Sequence, residues 1–434
     1  MKNVLKKIVA YIITLEARAV LKKHNPKIVA ITGSVGKTST KDAVFAVLSS
    51  TFYTRKSEKS FNSEIGIPLT ILGLPNGWNN PFIWLKNIIK GLMTVLLPEH
   101  YPKWLVLEVG ADRPNDIGKI CRWLKPDSVV VTRFGNIPVH VEFFPSIESL
   151  IVEKRKLVEA LKDRGTLILN RDDEKTMSFA GFGRQALLMT YGAEGGADIN
   201  ASNYEILTEK QGRRNVPCGI SFKVNYKGSC IPVSLRGTLG FQHLYPVLAA
   251  FTVGISEEIN LVAISEALSS YSTPPGRMKL VAGVKNTLII DDTYNSSPVA
   301  LAEALKVLGS IKNRSRKIAV LGDMLELGKY SVDEHSNAGK LAALNADVLF
   351  TVGVRGRGIA EGAINGGMSE QNIFQFDDSR ECGKQVELFI KEGDIILVKG
   401  SQGVRMEKVV EEIMADPEKK KELLVRQERE WEWR

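Results

Sequence analysis

Cysteine is scarce in this sequence, and the four that occur lie far apart. They are Cys121, Cys218, Cys230 and Cys382, and no C-x-x-C pair is found among them. This spacing predicts neither a disulfide framework nor a zinc site, and it is typical of a protein in a reducing compartment. We therefore expect a cytoplasmic protein.

Long apolar runs are also missing, so the sequence predicts no membrane-spanning helix. Three lysines precede the apolar stretch 8–15, which superficially resembles a secretion signal. Glu16 interrupts that stretch and no small-residue cleavage site follows, so residues 1–27 are predicted to form an amphipathic helix. This helix packs on the next domain or, as the alternative, makes weak peripheral contact with a membrane.

A nucleic-acid recognition motif is absent as well, although the formal net charge is +9. A protein that binds anionic nucleotides also needs positive potential, so we expect no nucleic-acid partner. The chain has 434 residues, of which 44% are hydrophobic and 25% charged. That length and composition predict a globular protein of about three domains.

Residues 28–44, IVAITGSVGKTSTKDAV, carry the strongest chemical signal in the chain. A β-branched apolar run predicts a buried strand, which turns through a Gly-rich loop into a helix. Such a loop binds phosphate with backbone N–H groups, while its lysine reaches the β/γ-phosphates and its threonine is a Mg²⁺ ligand. The residues predicted to contact the nucleotide here are Thr32, Gly33, Ser34, Val35, Gly36, Lys37, Thr38 and Ser39.

The loop departs from the full phosphate-loop pattern at one position. The pattern G-x-x-x-x-G-K-[ST] has glycine where this chain has Ile31. A Gly-rich turn that binds nothing is the alternative, but G-K-T between a strand and a helix favours the phosphate site.

Two residues near later strand ends are candidate metal ligands. Residues 104–110 predict a second buried strand, in which Glu108 stands near the carboxyl end, well placed to hold Mg²⁺. His140 follows a third predicted strand at 128–132, and either a structural or a ligand role is open for it.

Two further segments allow more than one interpretation. Asn62 and Glu64 lie in a polar stretch before Gly66, which either presents side chains to a ligand or is an ordinary connector. Residues 82–97 predict an amphipathic helix with Lys86 and Lys90 opposite its apolar side. Packing of that apolar side against a neighbouring element is expected, and a peripheral membrane face is the weaker alternative.

Strands alternate with helices over most of the chain, which predicts an α/β fold with mostly parallel sheets. A hairpin is predicted at 220–235, and Thr-Pro-Pro-Gly at 273–276 marks a domain boundary. The predicted units are an N-terminal helix, a central P-loop ATP-binding domain, a C-terminal Rossmann-like domain and a charged helical or disordered tail. Their bounds are 1–27, 28–274, 275–415 and 416–434.

Eight motifs in residues 28–414 resemble, in the same order, those of the Mur ligase family of ATP-dependent amide-forming enzymes. They are ITGSVGKTSTKD, FNSEIGIPLT, LEVGADRPNDI, HVEFFPSIESLIVEK, LNRDD, IIDDTYNSSP, LGDMLELG and LVKGSQGVRMEKVV. The motifs DDTYNSSP and GDMLELG resemble those of one branch of the family. Enzymes of this branch add D-alanyl-D-alanine to a UDP-linked muropeptide in peptidoglycan precursor synthesis.

The resemblance implies ATP, two Mg²⁺ ions and four catalytic residues. Thr38 and Glu108 would hold the first ion beside Lys37. His140 and Lys154 would serve the second, with Lys154 as a carbamate, because CO₂ turns this cation into an anion. An ordinary solvated helix lysine is the alternative for Lys154.

The family's other roles fall on the linker and on the third domain. Arg277, Asp291, Tyr294 and Asn295 would reach the nucleotide across the cleft. The residues expected at the substrate are Asn62, Glu64, His335, Lys399 and Ser401.

The implied reaction forms an acyl phosphate from ATP and a carboxylate, which the amine of the dipeptide then attacks. We expect a monomer that acts on small molecules. A folylpolyglutamate-type or other amide ligase on the same scaffold is one alternative, and a nucleotide-binding scaffold without catalysis is another.

The chain differs from the family pattern in two respects. Only about 27 residues precede the first predicted strand, whereas the branch carries an N-terminal domain that grips the UDP end. The UDP end would be held differently, held by a partner, or absent from the substrate. The family's histidine–asparagine pair and a later asparagine appear here as Gln242-His243 and Pro246.

Overall fold

The structure is a computed structural model that describes residues 2–58, 61–183, 185–212, 214–312, 315–428 and 431. Met1 and residues 429–430 and 432–434 of the predicted tail lie outside the described residues. No helix in the described part of the chain is long and apolar enough to cross a membrane.

The first sheet runs in the order β2-β3-β1-β4-β5-β6-β7-β8-β9. Its strands are parallel as far as β7, and the last two pairings are antiparallel. The strands are β1 (Lys27–Thr32), β2 (Thr54–Lys56), β3 (Trp104–Glu108), β4 (Ser128–Val131), β5 (Thr166–Asn170), β6 (Leu187–Gly192), β7 (Ile199–Gln211), β8 (Arg214–Tyr226) and β9 (Ser229–Arg236).

Helices cover both faces of this sheet. They are α1 (Lys2–His24), α2 (Lys37–Ser49), α3 (Gly66–Leu72), α4 (Pro81–Leu96), α5 (Asp116–Cys121), α6 (Ile147–Glu159), α7 (Glu174–Met177), α8 (Leu244–Ser256) and α9 (Leu261–Ser269). The predicted N-terminal helix is therefore present as α1, and it contacts α3 and α4.

The second sheet has the order β10-β11-β15-β12-β13-β14, with β10 antiparallel at its edge. Its strands are β10 (Lys279–Gly283), β11 (Thr287–Asp292), β12 (Lys317–Gly322), β13 (Val348–Val352), β14 (Ile373–Phe376) and β15 (Ile395–Lys399). Its helices are α10 (Pro298–Ser310), α11 (Ser331–Asn345), α12 (Gly356–Asn365), α13 (Ser379–Phe389), α14 (Glu407–Ile413) and α15 (Lys420–Leu423). The predicted α/β class with two mostly parallel sheets is confirmed.

The apolar run of β1 explains why this strand is central. Val29 and Ile31 lie in the core cluster shared with α2 and α8, whereas Ile28 and Ala30 lie in the cluster shared with α1 and α3. Successive side chains of a strand point to opposite faces, and a parallel strand covered on both faces needs apolar residues at every position. This packing fixes β1 in register with β3 and β4, so the loop after β1 emerges at the sheet's carboxyl edge.

The predicted hairpin is confirmed as β8 and β9, but it is not a separate unit. It continues the first sheet through β7, a long strand that the sequence pattern did not reveal. The polar stretch with Asn62 and Glu64 leads directly into α3, which begins at Gly66. The predicted domain boundary at 274 stays a prediction, since the first sheet ends at 236 and the second begins at 279.

The charged tail is ordered where it is described and contains only short helical turns between 417 and 423. Arg426 is buried and lies 2.9 Å from the Glu407 carboxylate. The same guanidinium donates to the carbonyl oxygens of Thr293 and Tyr294. The tail is therefore anchored beside the loop that follows β11.

The apolar side of α4 was expected to pack against a neighbouring element, but most of it faces outward. Its buried residues are Asn87 and Gly91, and its large apolar side chains are mostly exposed. Asn87 Nδ2 donates to Pro75 O at 2.7 Å, and a Cβ on Gly91 would lie 2.1 Å from Glu16 Oε2 of α1. A hydrogen bond and a close helix contact thus outweigh the burial of the apolar side.

The carboxyl group of Glu16 is 8% exposed beneath α4, and burial raises its pKa to about 7. A carboxyl whose pKa is higher in the folded than in the unfolded chain destabilises the fold when it ionises. The contribution of protonated Glu16 to the free energy of unfolding is therefore fully present below about pH 4.5, and it is lost as the pH rises towards about 7. We expect Glu16→Gln to raise the melting temperature more at about pH 8 than at about pH 5. An equal effect at both pH values would contradict this assignment.

Helices α11 and α12 cross where Gly339 of α11 meets Gly362 of α12. A Cβ on Gly339 would lie 2.0 Å from Ile359 O and 2.6 Å from Ala363 N, both backbone atoms that cannot move aside. We expect Gly339→Ala to lower the free energy of unfolding of the C-terminal unit by about 1–3 kcal/mol in denaturant titrations. Gly358→Ala on α12 is the control. Its Cβ would meet only the His335 Cβ at 3.4 Å, so a neutral or slightly stabilising effect is expected.

Candidate active site

The phosphate loop lies between β1 and α2, as predicted. The N–H groups of Ser34 and Val35 donate to the Arg133 carbonyl oxygen at 2.7 and 3.0 Å, which ties the loop to the chain after β4. Because α2 begins at Lys37, the N–H groups of its first turn face outward at the helix N-terminus. This is the arrangement that binds an anion.

Glycine is required at the first position of the loop. Gly33 has φ +137°, and a Cβ there would lie 2.0 Å from Thr132 Oγ1. Gly36 has φ +84° and immediately precedes α2. The loop conformation therefore depends on these two residues having no side chain.

Two lysines, of which Lys154 is buried, converge on one carbonyl oxygen. Lys37 Nζ donates to Gly33 O at 3.0 Å, and Lys154 Nζ from α6 donates to the same atom at 2.7 Å. Burial lowers the pKa of Lys37, although the Glu108 carboxylate partly opposes the shift. Burial, and then the charge on Lys37, hold the pKa of Lys154 well below its usual value. Lys154 is therefore the lysine disposed to be a neutral amine.

Glu108 is the acidic centre of the site, and it is 2% exposed. Its Oε2 accepts a hydrogen bond from Thr38 Oγ1 at 2.9 Å, and its Oε1 accepts one from Asn62 Nδ2 at 3.3 Å. The structure thus brings together three residues that the sequence had placed in different motifs.

The donors around Glu108 fit Mg²⁺. The described residues contain no group of three or more His, Cys, Asp or Glu that could form a metal site by themselves. Mg²⁺ does not need such a group, because it binds through one or two carboxylates, water and substrate phosphates. The Thr38 hydroxyl and the Glu108 carboxylate, next to a phosphate loop, are oxygen donors of this kind.

His140 lies at the contact between the two sheets' units, with a left-handed backbone at φ 68°. Its Nδ1 is 2.6 Å from Glu326 Oε2, and its Nε2 is 3.7 Å from Asp112 Oδ1. The hydrogen bond with His140 holds the pKa of Glu326 below its usual value. The charge of Asp112 also raises the pKa of Lys154, so Asp112 acts on both candidates for the second metal.

A cavity extends from the phosphate loop to the second sheet. Ser34, Val35, Gly36 and Ser39 line one side of it, while Thr32 is buried within the first sheet instead. From the C-terminal unit the cavity is lined by Arg277, Asp292, Asn295, Ser296, Ser297, Ala300, Glu303 and Lys399. Both units therefore contribute walls to one cavity beside the phosphate loop.

The positions that depart from the family pattern also line this cavity. They are Gln242, His243 and Pro246, joined by Tyr245. His243 Nε2 lies 3.0 Å from Thr238 Oγ1, and burial lowers the pKa of this histidine to about 4. His243 is therefore neutral at physiological pH and is held by Thr238.

Arg277 crosses from the linker to the phosphate loop. Its Nη2 donates to Thr38 Oγ1 at 3.4 Å, and its guanidinium carbon lies 3.9 Å from the centre of the Tyr294 ring. Arg426 of the tail lies 5.7 Å from the same ring. Tyr294 lines a second cavity that also reaches Thr38 and Arg277, and its predicted nucleotide contact stays a prediction.

Asp291 likewise supports the linker. Its Oδ2 accepts from Gly276 N at 3.1 Å, its Oδ1 accepts from Thr293 N and Oγ1, and it is fully buried. Burial raises the pKa of Asp291 to about 6. The carboxylate thus holds the backbone before Arg277, and its predicted nucleotide contact stays a prediction, whereas Asn295 lines the cavity.

Lys399 lies at the cavity wall rather than at an open substrate surface. Its Nζ donates to Asp292 Oδ2 at 2.6 Å and to Asn295 O at 2.9 Å. Asp292 also accepts from Met278 N at 3.2 Å. This ion pair holds the end of β11 against the end of β15, beside the predicted nucleotide.

His335 and Ser401 hold the loop that carries Glu326. His335 Nε2 accepts from Met324 N at 2.9 Å, and its Nδ1 lies 2.6 Å from Ser331 O. Ser401 Oγ accepts from Leu325 N at 2.9 Å. Both side chains are buried and support this loop, and their expected contact with the incoming dipeptide stays a prediction.

Glu64 is separated from the residues around Glu108. Its side chain is 58% exposed and lies 3.6 Å from Lys119 Nζ. Of the two polar residues predicted in this segment, only Asn62 reaches the site.

Sequence reasoning missed Asp112, Arg133 and Glu326. Arg133 follows β4, lines the cavity and pairs with Glu303 of α10. Its position directly after a buried strand was an available signal. Glu326 lay within a recognised motif, but its partner is far away in the sequence.

The fold and the site define a class of protein, namely a P-loop nucleotide-binding α/β protein whose cleft is closed by a second α/β unit. Sequence comparison extends this: residues 86–254 match the Mur ligase middle domain, and residues 276–402 match the Mur ligase, glutamate ligase domain. The chain belongs to the Mur ligase family and is an ATP-dependent ligase. The predicted resemblance is confirmed.

Curated relatives with one shared name are similar over most of the chain. UDP-N-acetylmuramoyl-tripeptide–D-alanyl-D-alanine ligase of Bacillus subtilis is 27% identical over 402 residues, covering 92% of this chain and 79% of the relative. Its namesake from Buchnera aphidicola subsp. Acyrthosiphon pisum is 29% identical over 412 residues, with the same two coverages. The fold is similar to that of the Thermotoga maritima MurF ligase in complex with ADP. The TM-score is 0.74 at 24% identity, over 95% of this chain and 84% of that one.

A change in the backbone conformation at Gly33 is expected to abolish phosphate binding by the loop. Gly33→Ala brings a Cβ to within 2.0 Å of Thr132 Oγ1, so the loop must move. A cost of about 1.4 kcal/mol or more in binding corresponds to at least a tenfold loss of ATP affinity, measurable by calorimetry.

Gly195→Ala is the matched control for this variant. Gly195 also has a positive φ, +94°, but a Cβ there meets no atom within 4 Å. It should retain ATP affinity within about twofold, a difference of only about 0.4 kcal/mol. Full ATP affinity in a folded Gly33→Ala protein would contradict the assigned phosphate site.

Proposed function

We propose that this enzyme joins D-alanyl-D-alanine to the terminal carboxylate of a UDP-MurNAc-tripeptide, with conversion of ATP to ADP and phosphate. The observation that carries the proposal is the convergence of Lys37 and Lys154 on Gly33 O beside the Thr38–Glu108 pair. The names of the curated relatives support the choice of substrate. The reaction belongs to the synthesis of peptidoglycan precursors in the cytoplasm.

In the first step, a carboxylate oxygen of the tripeptide attacks the γ-phosphorus of ATP, and ADP leaves. Lys37 and the N–H groups at the start of α2 stabilise the charge on the phosphate oxygens, and Arg277 adds a cation beside Thr38. Phosphoryl transfer depends mainly on positioning and charge neutralisation, so no protein nucleophile is required. Mg²⁺, held by Thr38 and Glu108, would supply further charge neutralisation at these oxygens.

In the second step, the neutral amine of the dipeptide attacks the carbonyl carbon of the acyl phosphate. The tetrahedral intermediate collapses by breaking the bond to the phosphate oxygen, and the nitrogen loses a proton. The acyl phosphate is sensitive to water, so the contacts between the two units would protect it. His140–Glu326 and Arg277–Thr38 are such contacts.

We infer that Lys154 carries a carbamate. A carbamate forms when a neutral amine attacks CO₂ and loses a proton, and the lowered pKa of Lys154 favours that amine. The product is an anion next to the Lys37 ammonium, which would stabilise it. Lys154 in this form, with His140, would provide ligands for a second Mg²⁺.

The remaining roles are proposed with the same division of labour. Asn62 positions Glu108. Lys399 and Asn295 line the nucleotide cavity. The protein acts as a monomer. The basic helix α1 makes peripheral contact with the membrane surface.

Phosphate release tests the proposed reaction. The protein is incubated with ATP, UDP-MurNAc-tripeptide and D-Ala-D-Ala, and both phosphate and the mass of the pentapeptide product are measured. We expect release to require both substrates and to fall at least a hundredfold in Lys154→Ala, a change of about 2.7 kcal/mol in barrier.

Arg155→Ala is the control on the same helix, because Arg155 pairs with Glu159 away from the cleft. It should keep the parent rate. ATP binding without product would show a nucleotide site with another acceptor and would overturn the substrate assignment. Full activity in Lys154→Ala would overturn the role of Lys154.

A further inference from the structure

A continuous apolar stripe faces outward on α4. Residues spaced by three, four or one along the helix recur on one side of it. Their exposed fractions are 80% for Phe82, 57% for Leu85, 51% for Ile89, 49% for Leu92, 50% for Met93 and 69% for Leu96. Large apolar groups exposed together in this way mark an interaction surface rather than ordinary surface variation.

The stripe is held outward by specific contacts on the opposite side of the helix. Asn87 donates to Pro75 O, and Gly91 packs against Glu16. Lys23 of α1 donates to the carbonyl oxygens of Thr94, Val95 and Leu97 at 3.1, 2.9 and 2.6 Å and so caps the end of α4. Rotation of α4 to bury the stripe would break these bonds.

Helix α1 also exposes apolar side chains. It contacts α4, and Ile8, Tyr11 and Leu15 are 49%, 65% and 43% exposed. We define the α1–α4 surface as these three residues together with the stripe of α4.

The charges around the α1–α4 surface are predominantly basic. Residues 65–98 contain no Asp or Glu, and residues 1–41 contain only Glu16, which is buried between the helices. The exposed charges of the two helices are those of Lys6, Lys7, Arg18, Lys22, Lys23, Lys86 and Lys90, and one exposed carboxylate, Glu99, follows the end of α4. Lys86 and Lys90 flank the stripe on α4, a pattern of apolar centre and basic edge that complements an anionic lipid surface.

We propose that the α1–α4 surface docks on the surface of an anionic bilayer. The apolar stripe enters the boundary between headgroups and acyl chains, and the flanking lysines contact lipid phosphates. A second copy of the chain fits this surface less well, because self-pairing would bring the same lysines together. The described helices are too short or too polar to span the bilayer, so the contact is peripheral.

The docked orientation would bring the substrate cleft to the membrane. A large cavity is lined by Val9 of α1 and by Trp84, Leu85 and Ile88 of α4, and it continues to Thr38 and Arg277. The helices that meet the bilayer thus form one edge of the route to the phosphate loop. An anionic muropeptide held at the membrane would be able to enter from that edge.

Vesicle flotation tests the proposal with the full chain. The protein is mixed with vesicles of phosphatidylcholine alone or of phosphatidylcholine with phosphatidylglycerol, and the floating fraction is measured at low and high salt. We expect flotation with the anionic vesicles only, weakened by salt. Ile89→Ser/Leu92→Ser and Lys86→Glu/Lys90→Glu should each lower the apparent affinity at least tenfold.

Leu344→Ser/Leu388→Ser is the matched control, because these leucines are 76% and 75% exposed on helices of the C-terminal unit. It should float like the parent. Phosphate release without vesicles should be equal in all these variants, so failure to float is separable from failure of the ligase assignment.

Three results would overturn the proposal. One is the absence of flotation at low salt, and another is equal flotation with neutral vesicles. The third is a parent dimer in sedimentation velocity that Ile89→Ser/Leu92→Ser converts to monomer, which would assign the surface to a second copy of the chain.

Discussion

The carbonyl oxygen of Gly33 is the point on which the active site depends, because two lysines share it. Lys37 and Lys154 both donate to this atom, and two ammonium groups this close in a buried site repel each other. The conflict is relieved when Lys154 loses its proton, when a polyphosphate binds, or when Lys154 becomes an anion. Each of these states is one that the proposed reaction uses. The repulsion between the two ammonium groups therefore favours the proposed chemistry.

The second sheet contributes to this site through backbone support more than through direct ligands. Asp291 fixes the linker at Gly276, and Asp292 pairs with Lys399 at the cavity wall. Arg277 is thereby held at Thr38, while His140 meets Glu326 on another side of the cleft. The nucleotide space is therefore formed by both units, which these polar contacts join beside a buried apolar cluster that spans the two.

Much of this arrangement could be predicted from the sequence, for identifiable reasons. The β-branched run of β1 and the glycines after it define a phosphate loop locally, and Glu108 at a strand end follows from parallel-sheet geometry. Contacts between distant segments could not be predicted, such as that between His140 and Glu326. The buried side of α4 could not be predicted either. Periodicity reveals an apolar side, but it does not reveal the hydrogen bond of Asn87 that turns this side outward. The contacts of His335 and Ser401 with the loop that carries Glu326 could not be predicted either, because motif membership does not distinguish a residue that binds substrate from one that holds a loop.

The anchoring of the tail has a consequence for the order in which the protein is made. Arg426 holds the backbone of Thr293 and Tyr294, and the Tyr294 ring supports Arg277 at the phosphate loop. Domains generally fold from the N-terminus as they leave the ribosome. The first sheet can thus form early, but its nucleotide cleft gains the support of Arg426 only after the segment that carries this residue has emerged. A nascent chain would therefore complete its ATP site only after the C-terminal unit has been made.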